Sequence, residues 1–223
     1  MCAALASGLA AIEWSTVATL ATALGTLVLA VATFAAVRSA NRAARVAEMS
    51  YQVSLRPVLV PSRPEDPVQK IRWMDNHWAR LEGGLATAEW VNGSIYLTIS
   101  LRNVGSGLAV PFGWTVKEGA LTSEVPHDEP DVFRLQIRDL YIAPRDVGFW
   151  QAAVRDEDDP DHGWLGRAIS TGSPFTVELL YGDHDGRQRT ITRFGIIPVH
   201  VAEELRWYPA ASRHWYLDRP DPR

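Results

Sequence analysis

The densest run of cation-binding side chains in the chain is Asp156-Glu157-Asp158-Asp159-Pro160-Asp161-His162. Hard cations such as Ca²⁺ take several oxygen ligands, and this run offers them close together. It lacks the fixed ligand spacing and central glycine of a calcium loop. Like charges in a proline-containing loop stay hydrated without any ion, so a solvated acidic loop is the stronger reading. A second cluster, Asp183-His184-Asp185, sets an imidazole between two carboxylates, a plausible metal edge. It sits in Tyr181-Gly182-Asp183-His184-Asp185-Gly186-Arg187, where Asp and Gly are explained by turn geometry alone.

The remaining chemistry-bearing residues form no recognisable set. The six histidines, His77, His127, His162, His184, His200 and His214, show no HxxxH pairing for a metal. Gly105-Ser106-Gly107 has the composition of a phosphate cradle, but it leads into a strand pattern instead of a helix N-terminus. No serine occupies a GxSxG elbow, and Cys2 is remote in sequence from any histidine. The expectation is a chain without catalytic, cofactor-binding or metal-ligating residues, and not an enzyme. The alternative is a membrane-bound sensor or metal-dependent hydrolase using the Asp156–Asp161 loop or the Asp183–Asp185 hairpin. Convergence of those two loops at one end of the fold would favour it.

The nine tryptophans are more informative. Trp114 and Trp150 lie in strand patterns and read as core. Trp73, Trp78 and Trp90 flank turns. Trp207, Tyr208, Trp215 and Tyr216 cluster with arginines in the C-terminal stretch, a composition enriched at protein interfaces, and are taken as a candidate interface.

The elements that must position these residues begin with Trp14–Val37, a run free of charge and proline. At about 24 residues it is long enough to cross a hydrocarbon core as a helix. Residues 1–13 read as a short leader without Lys or Arg, unlike the basic start of a secretory signal. Cleavage near Ala35–Ala36 or Ala43–Ala44 is the lesser alternative to an uncleaved anchor. Within the span, Ala18, Ala21, Thr22, Gly25, Ala32 and Ala36 share one helical stripe, a candidate seam for a homodimer. Residues 38–55 continue as a juxtamembrane helix, in which Arg38, Arg42 and Arg45 share a face able to reach lipid phosphates. The helix should end where Arg56-Pro57 forces the backbone out of the α region. Basic flanks stay on the cytoplasmic side, so the expected topology is N-terminus outside and C-terminal domain cytoplasmic.

Beyond the span the chain is polar and mildly acidic. Of 26 Asp+Glu only Glu13 and Glu48 precede residue 56, and of 22 Lys+Arg only Arg38, Arg42 and Arg45 do. An acidic balance is a poor fit to nucleic acid, whose binding rests on neutralised phosphates. The single cysteine excludes an intrachain disulfide and a cysteine zinc site. Only Lys70 and Lys117 are lysines, an arginine bias that fits a GC-rich bacterial source.

Residues 56–198 read as a β-domain. Pro57–Pro61 is a short first strand, followed by a proline-rich loop and an irregular segment with Trp78 and Gly83-Gly84. In Ser94–Asn103, Ile95, Leu97, Ile99 and Leu101 alternate with Tyr96, Thr98, Ser100 and Arg102, the pattern of a strand buried on one face. Further strands are expected over Ala109–Val116, Val132–Ile137, Leu140–Ile142, Gly148–Val154 and Phe175–Tyr181. A hairpin should join the last of these to Gln188–Phe194. No amphipathic helix of useful length is expected after residue 56. Residues 199–223 are expected to be an aromatic, arginine-containing tail with a short helix around Ala202–Arg206. The fold class is therefore mainly β, an antiparallel immunoglobulin-like β-sandwich behind one transmembrane helix.

The order of span, basic helix, Arg-Pro entry, then LRNVGSGLAV (Leu101–Val110), YIAPRD (Tyr141–Asp146) and YGDHDGR (Tyr181–Arg187) resembles uncharacterised bacterial, actinobacterial-type, single-span membrane proteins with an immunoglobulin-like domain. The resemblance implies the fold and no activity. The expected role is a membrane-tethered interaction or adaptor module, with the lipid bilayer and an unidentified protein as partners.

Overall fold

The computed structural model describes residues 2–220, and for residues 2–13 and 52–54 the backbone only. The chain divides into two compact units, residues 1–53 and 54–223. The first is one helix, α1 (Cys2–Ser54). Its stretch from Trp14 to Tyr51 is unburied and contains a window of mean hydropathy 2.2, long and apolar enough to cross a membrane near the N-terminus. Four threonines in that run are satisfied within the helix. Thr19, Thr22, Thr26 and Thr33 each donate a hydroxyl to the carbonyl four residues back, at 2.8–2.9 Å. Such bonds let threonine sit in an apolar medium without an orphaned donor. The helix ends just before Arg56-Pro57, as expected from the backbone restriction in front of proline.

The second unit is mainly β and antiparallel. Its strands are β1 (Leu59–Pro61), β2 (Gln69–Arg72), β3 (Trp78–Leu81), β4 (Ala86–Val91), β5 (Ser94–Asn103), β6 (Val110–Glu118), β7 (Arg134–Leu135), β8 (Val147–Val154), β9 (Phe175–Gly182), β10 (Arg189–Val201) and β11 (Glu204–Tyr216). One helix, α2 (His162–Thr171), interrupts them. Followed along its hydrogen bonds, the main sheet runs β8-β5-β4-β11-β10-β9-β6-β7, with β1 beside β5 beyond the end of β4.

This sheet folds over on itself into a sandwich-like body. One apolar cluster unites Leu97, Ile99, Leu101 and Trp150 from one half with Val177, Leu179, Phe194 and Ile196 from the other. The halves join at one corner through a single residue pair, Trp207 with Ala86. The opposite corner, between β7 and β8, has no ladder.

Both halves are also covered on the outside. The separate β2–β3 hairpin buries Ile71, Trp73, Ala79 and Leu81 against Tyr96. The connection after β6 lays Phe133 against Leu180, Ile191 and Trp215. For this reason Ser94–Asn103 is buried on both faces, not on one as its alternation indicated. Its polar positions find partners beneath the cover: Ser100 shares a 2.6 Å hydrogen bond with Ser62, and Thr98 one of 2.8 Å with Thr87.

Several expectations need correction. Residues 199–223 are not a tail outside the sheet. β10 runs on to Val201, turns through Ala202 and Glu203, both at positive φ, and returns as β11, which pairs with it to Tyr216 with one bulge between Ala211 and Arg213. Two successive left-handed residues make the turn twist with its strands, so no helix forms at Ala202–Arg206. The segment around Trp78 is the β2–β3 hairpin. Of Val132–Ile137 only Arg134 and Leu135 pair, and Leu140–Ile142 contributes only a bridge from Ile142 to Ala109. The α2 helix went unseen because it is ten residues long, holds two glycines and follows an acidic, proline-containing run. Packing holds it in place: Leu165 and Ile169 enter the core, and Gly172 closes it at φ 64° with its N–H on the carbonyls of Ala168 and Ile169.

Candidate binding groove

At the open corner a groove of about 1150 Å³ runs between β7 and β8. It is larger than the roughly 300–1,000 Å³ usual for small-molecule sites. One wall is the end of the β2–β3 hairpin, Arg72 to Asp75, and the other is Arg134 to Arg138. Gln151, Ala152, Ala153 and Arg155 of β8 and its continuation line it, with Trp114 of β6. Three side chains on its walls are almost fully solvated, Met74 at 92%, Leu135 at 81% and Ile137 at 92% exposure. Elsewhere in the domain the large aliphatics are mostly covered, so solvated aliphatics gathered at one groove mark it as unusual.

Local sequence explains why the corner is open. After Phe133 the chain alternates inward Arg134 and Gln136 with outward Leu135 and Ile137. Gln136 N–H reaches the Phe112 carbonyl at 2.9 Å, and no further ladder forms. The Gln136 carboxamide spans the gap instead. It accepts from Trp150 Nε1 at 3.0 Å and donates to the Gln151 carbonyl at 3.2 Å. Behind it the rings of Trp114 and Trp150 meet edge to face at 5.6 Å.

The electrostatics are uneven. Arg134 is neutralised by Asp159 and Asp161, and its guanidinium lies 5.1 Å from the Trp114 ring. The hydrogen bond from Arg134 holds Asp159 below the usual carboxylate range. Arg155 pairs with Asp75 at 2.9 Å. Burial alone would raise Asp75, but hydrogen bonds from Tyr96 and Arg155 outweigh it and bring it down to about 2. Arg72 and Arg138 differ. Arg138 donates to the Arg72 carbonyl at 3.0 Å and to Gln151 Oε1 at 3.2 Å, while Arg72 reaches Asn76 and stacks 5.5 Å from the Trp78 ring. Among the described residues neither arginine has a carboxylate within salt-bridge range, so two cations face the groove uncompensated inside an acidic domain.

The sites indicated by sequence lie elsewhere. The Asp156–Asp161 run leads from β8 into α2, with Asp159 and Asp161 tied to Arg134 and Asp161 also accepting from Trp164 Nε1 at 2.9 Å. Asp183 accepts from the N–H groups of Arg187 and Gln188, which is turn architecture. The two loops do not converge. The acidic run follows Val154, which pairs with Ile95. The hairpin follows Gly182, next to Tyr181, whose hydroxyl accepts from Leu59 N–H, and Leu59 pairs with Asn103. Ile95 to Asn103 spans roughly 26 Å of strand, so the loops occupy opposite ends. Among the described residues no three His, Cys, Asp or Glu side chains gather as a metal set.

The candidate interface of Trp207, Tyr208, Trp215 and Tyr216 is corrected in part. Trp207 and Trp215 are 5% and 6% exposed, in two different cores, because the pairing of β10 with β11 slips by one residue opposite Arg193 and Phe194, and this bulge turns the odd-numbered residues beyond it to the other face. Tyr208 is exposed, and Tyr216 is flanked by Arg56 and Arg219 at 4.5 and 4.2 Å. Trp114 and Trp150 are core, as expected. Ala18, Ala21, Thr22, Gly25, Ala32 and Ala36 lie exposed on α1, and a Cβ on Gly25 would meet nothing. Arg38, Arg42 and Arg45 are likewise exposed. Sequence reasoning missed Arg72, Met74, Leu135, Gln136, Ile137 and Arg138. The signal was present in the strand pattern of Val132–Ile137, more of it than the fold pairs.

No protein-family model matches this chain, and no curated protein does. A solved structure titled "Crystal structure of protein from Archaeoglobus fulgidus" aligns with 60% of this chain and 94% of its own, at 11% identity and a TM-score of 0.24. Similarity at that level fixes neither fold family nor function.

Proposed function

We propose that the chain is a membrane-tethered interaction module, anchored by α1 and binding a protein partner in the β7–β8 groove. The observation that carries this is the gathering of solvated Met74, Leu135 and Ile137 around a deep groove with two uncompensated arginines. Aliphatic side chains held in water lose the benefit of burial, which a partner restores. In this reading α1 stays uncleaved, the N-terminus faces outward and the domain is cytoplasmic. The domain belongs to the immunoglobulin-like class, and the small-residue stripe through Gly25 brings two copies together.

The test is a photoreactive residue at Ile137 in the full-length chain in its own membrane. Discrete protein adducts, absent when the same group is placed at exposed Glu203, are expected. Adducts with lipid alone, or the same pattern from both positions, would overturn the reading. Cys2, the only thiol, reports topology without engineering. It should react from outside with a maleimide that cannot cross the membrane, and failure to do so in intact cells would reverse the orientation.

A further inference from the structure

We propose that the open corner is a strand-addition site, taking an extended partner segment with apolar residues at alternate positions and carboxylates between them. This rests on the reading of the groove as a binding surface and names what it binds.

The first ground is the edge. Asn103 N–H donates to the Asp146 carbonyl, and antiparallel alternation then assigns the groups of Gly148, Trp150, Ala152 and Val154 to β5. The opposite groups, on Phe149, Gln151 and Ala153, point away from β5, and Gln151 and Ala153 line the groove. Among the described residues β8 has no second strand neighbour. The Gln151 carbonyl is held only by the Gln136 side chain, a carboxamide standing where a backbone N–H would stand. Native folds usually blunt or cover such an edge. Here the cover is one amide, which an incoming strand displaces group for group.

The second ground is the side chains that an added strand would meet. Running antiparallel to β8, its residues would point alternately inward to Trp114 and outward between the aliphatics of Met74 and Ile137 and the guanidiniums of Arg72 and Arg138. Inward positions call for apolar residues, and outward ones for carboxylates that guanidinium groups bind with paired N–H donors. A bilayer surface would meet only the protruding Met74 and Ile137. It would leave the recessed edge groups without partners, so a polypeptide fits the observations better.

The experiment uses the full-length protein in detergent micelles and a fluorescently labelled peptide of about eight alternating Val and Glu residues, enough to cover β8. Two companions share its length: one with Lys for Glu, and one N-methylated at alternate amides so that it cannot pair with an edge. Saturable binding of the Glu peptide is expected, at least about tenfold tighter than the Lys peptide and lost on N-methylation. The Arg72→Gln/Arg138→Gln variant should bring the Glu and Lys peptides to within about twofold. Ala153→Pro, which removes an edge N–H outside the β5 ladder, should abolish binding. If either variant fails to fold, the three peptides on the unaltered protein still decide. Equal binding of the N-methylated peptide, equal binding of the Lys peptide, or no saturable binding would each overturn strand addition. So would arginine-dependent binding to anionic lipid vesicles with no peptide binding. Protein adducts at Ile137 together with failure of the Glu peptide would retain the interaction module and remove only this inference.

Discussion

Arg193 and Glu178 are the most buried charges in the domain, both fully inaccessible. Arg193 Nε donates to Glu178 Oε1 at 2.7 Å, and its two terminal nitrogens reach the carbonyls of Thr122, Val125 and Pro126 at 2.7–2.9 Å. Glu178 is also approached by Lys117 at 3.5 Å and by Asp128 N–H at 3.3 Å. The guanidinium lies 4.8 Å from the Trp215 ring. One side chain therefore fastens the strandless connection after β6 onto the outer face of β9 and β10. Arg193→Met removes the nearest cation from a buried carboxylate, leaving it only Lys117 and the Asp128 N–H, and orphans three carbonyls. Breaking one side of such a pair costs about 3–5 kcal/mol. For a domain of this size that lowers Tm by roughly 6–20 °C. Glu178→Leu added to Arg193→Met should recover part of the loss, because an apolar pair of similar volume needs no desolvation, while the carbonyls stay orphaned. Thermal melts followed by near-ultraviolet circular dichroism on the full-length chain in mild detergent measure both effects. Digestion with a glutamate-specific protease supplies the local readout: Glu124 is already solvent-exposed on a backbone that Arg193 holds fixed, so Arg193→Met should allow cutting there at temperatures where the rest of the domain survives. A single-variant Tm within about 2 °C of the original, or a double variant as destabilised as the sum of the singles, would refute the reasoning.

Three further outcomes are expected. Gly105→Ala would place a Cβ 2.2 Å from the Arg56 carbonyl oxygen and 2.6 Å from Val58 N, so it should cost about 1–3 kcal/mol in urea titrations; an unchanged midpoint would contradict the close approach. The hydrogen bond from Arg102 keeps Asp66 below its usual range. A lowered carboxylate contributes stability that is present above the unfolded value of about 3.9 and lost as pH falls through the folded one, so Arg102→Gln should move acid unfolding to higher pH, and an unmoved acid limb would remove that contribution. In a membrane reporter of self-association, Gly25→Ile should weaken the signal, while Leu27→Ile on the opposite face of α1 should not; equal signals would exclude the small-residue seam.

The candidate site was legible only in fragments. The strand pattern of Val132–Ile137 was visible, but nothing local said that Gln136 and Ile137 would lack a partner, because pairing is a property of two segments. Trp73 and Trp78 look alike beside their turn. One packs beneath the hairpin with Nε1 on the Ala152 carbonyl at 3.1 Å, and the other stays exposed. The acidic run was rightly seen as a loop, but its role in holding Arg134 depends on a residue 25 positions away.

What the sequence determined by itself follows from short-range rules. An uncharged, proline-free run longer than a bilayer is thick forms a helix able to span one, Arg-Pro ends that helix, and Asp-Gly between alternating runs makes a hairpin. Period-two alternation places Ser94–Asn103 in a sheet. Only tertiary structure decided what covers that strand's second face, since the cover comes from β2 and β3, whose Ile71, Trp73, Ala79 and Leu81 are too few to announce a layer. It likewise decided that β11 closes one corner of the sheet while the other stays open. Closure depends on which distant edges meet, and hydrogen bonds between strands far apart in the chain leave no periodic trace in either one.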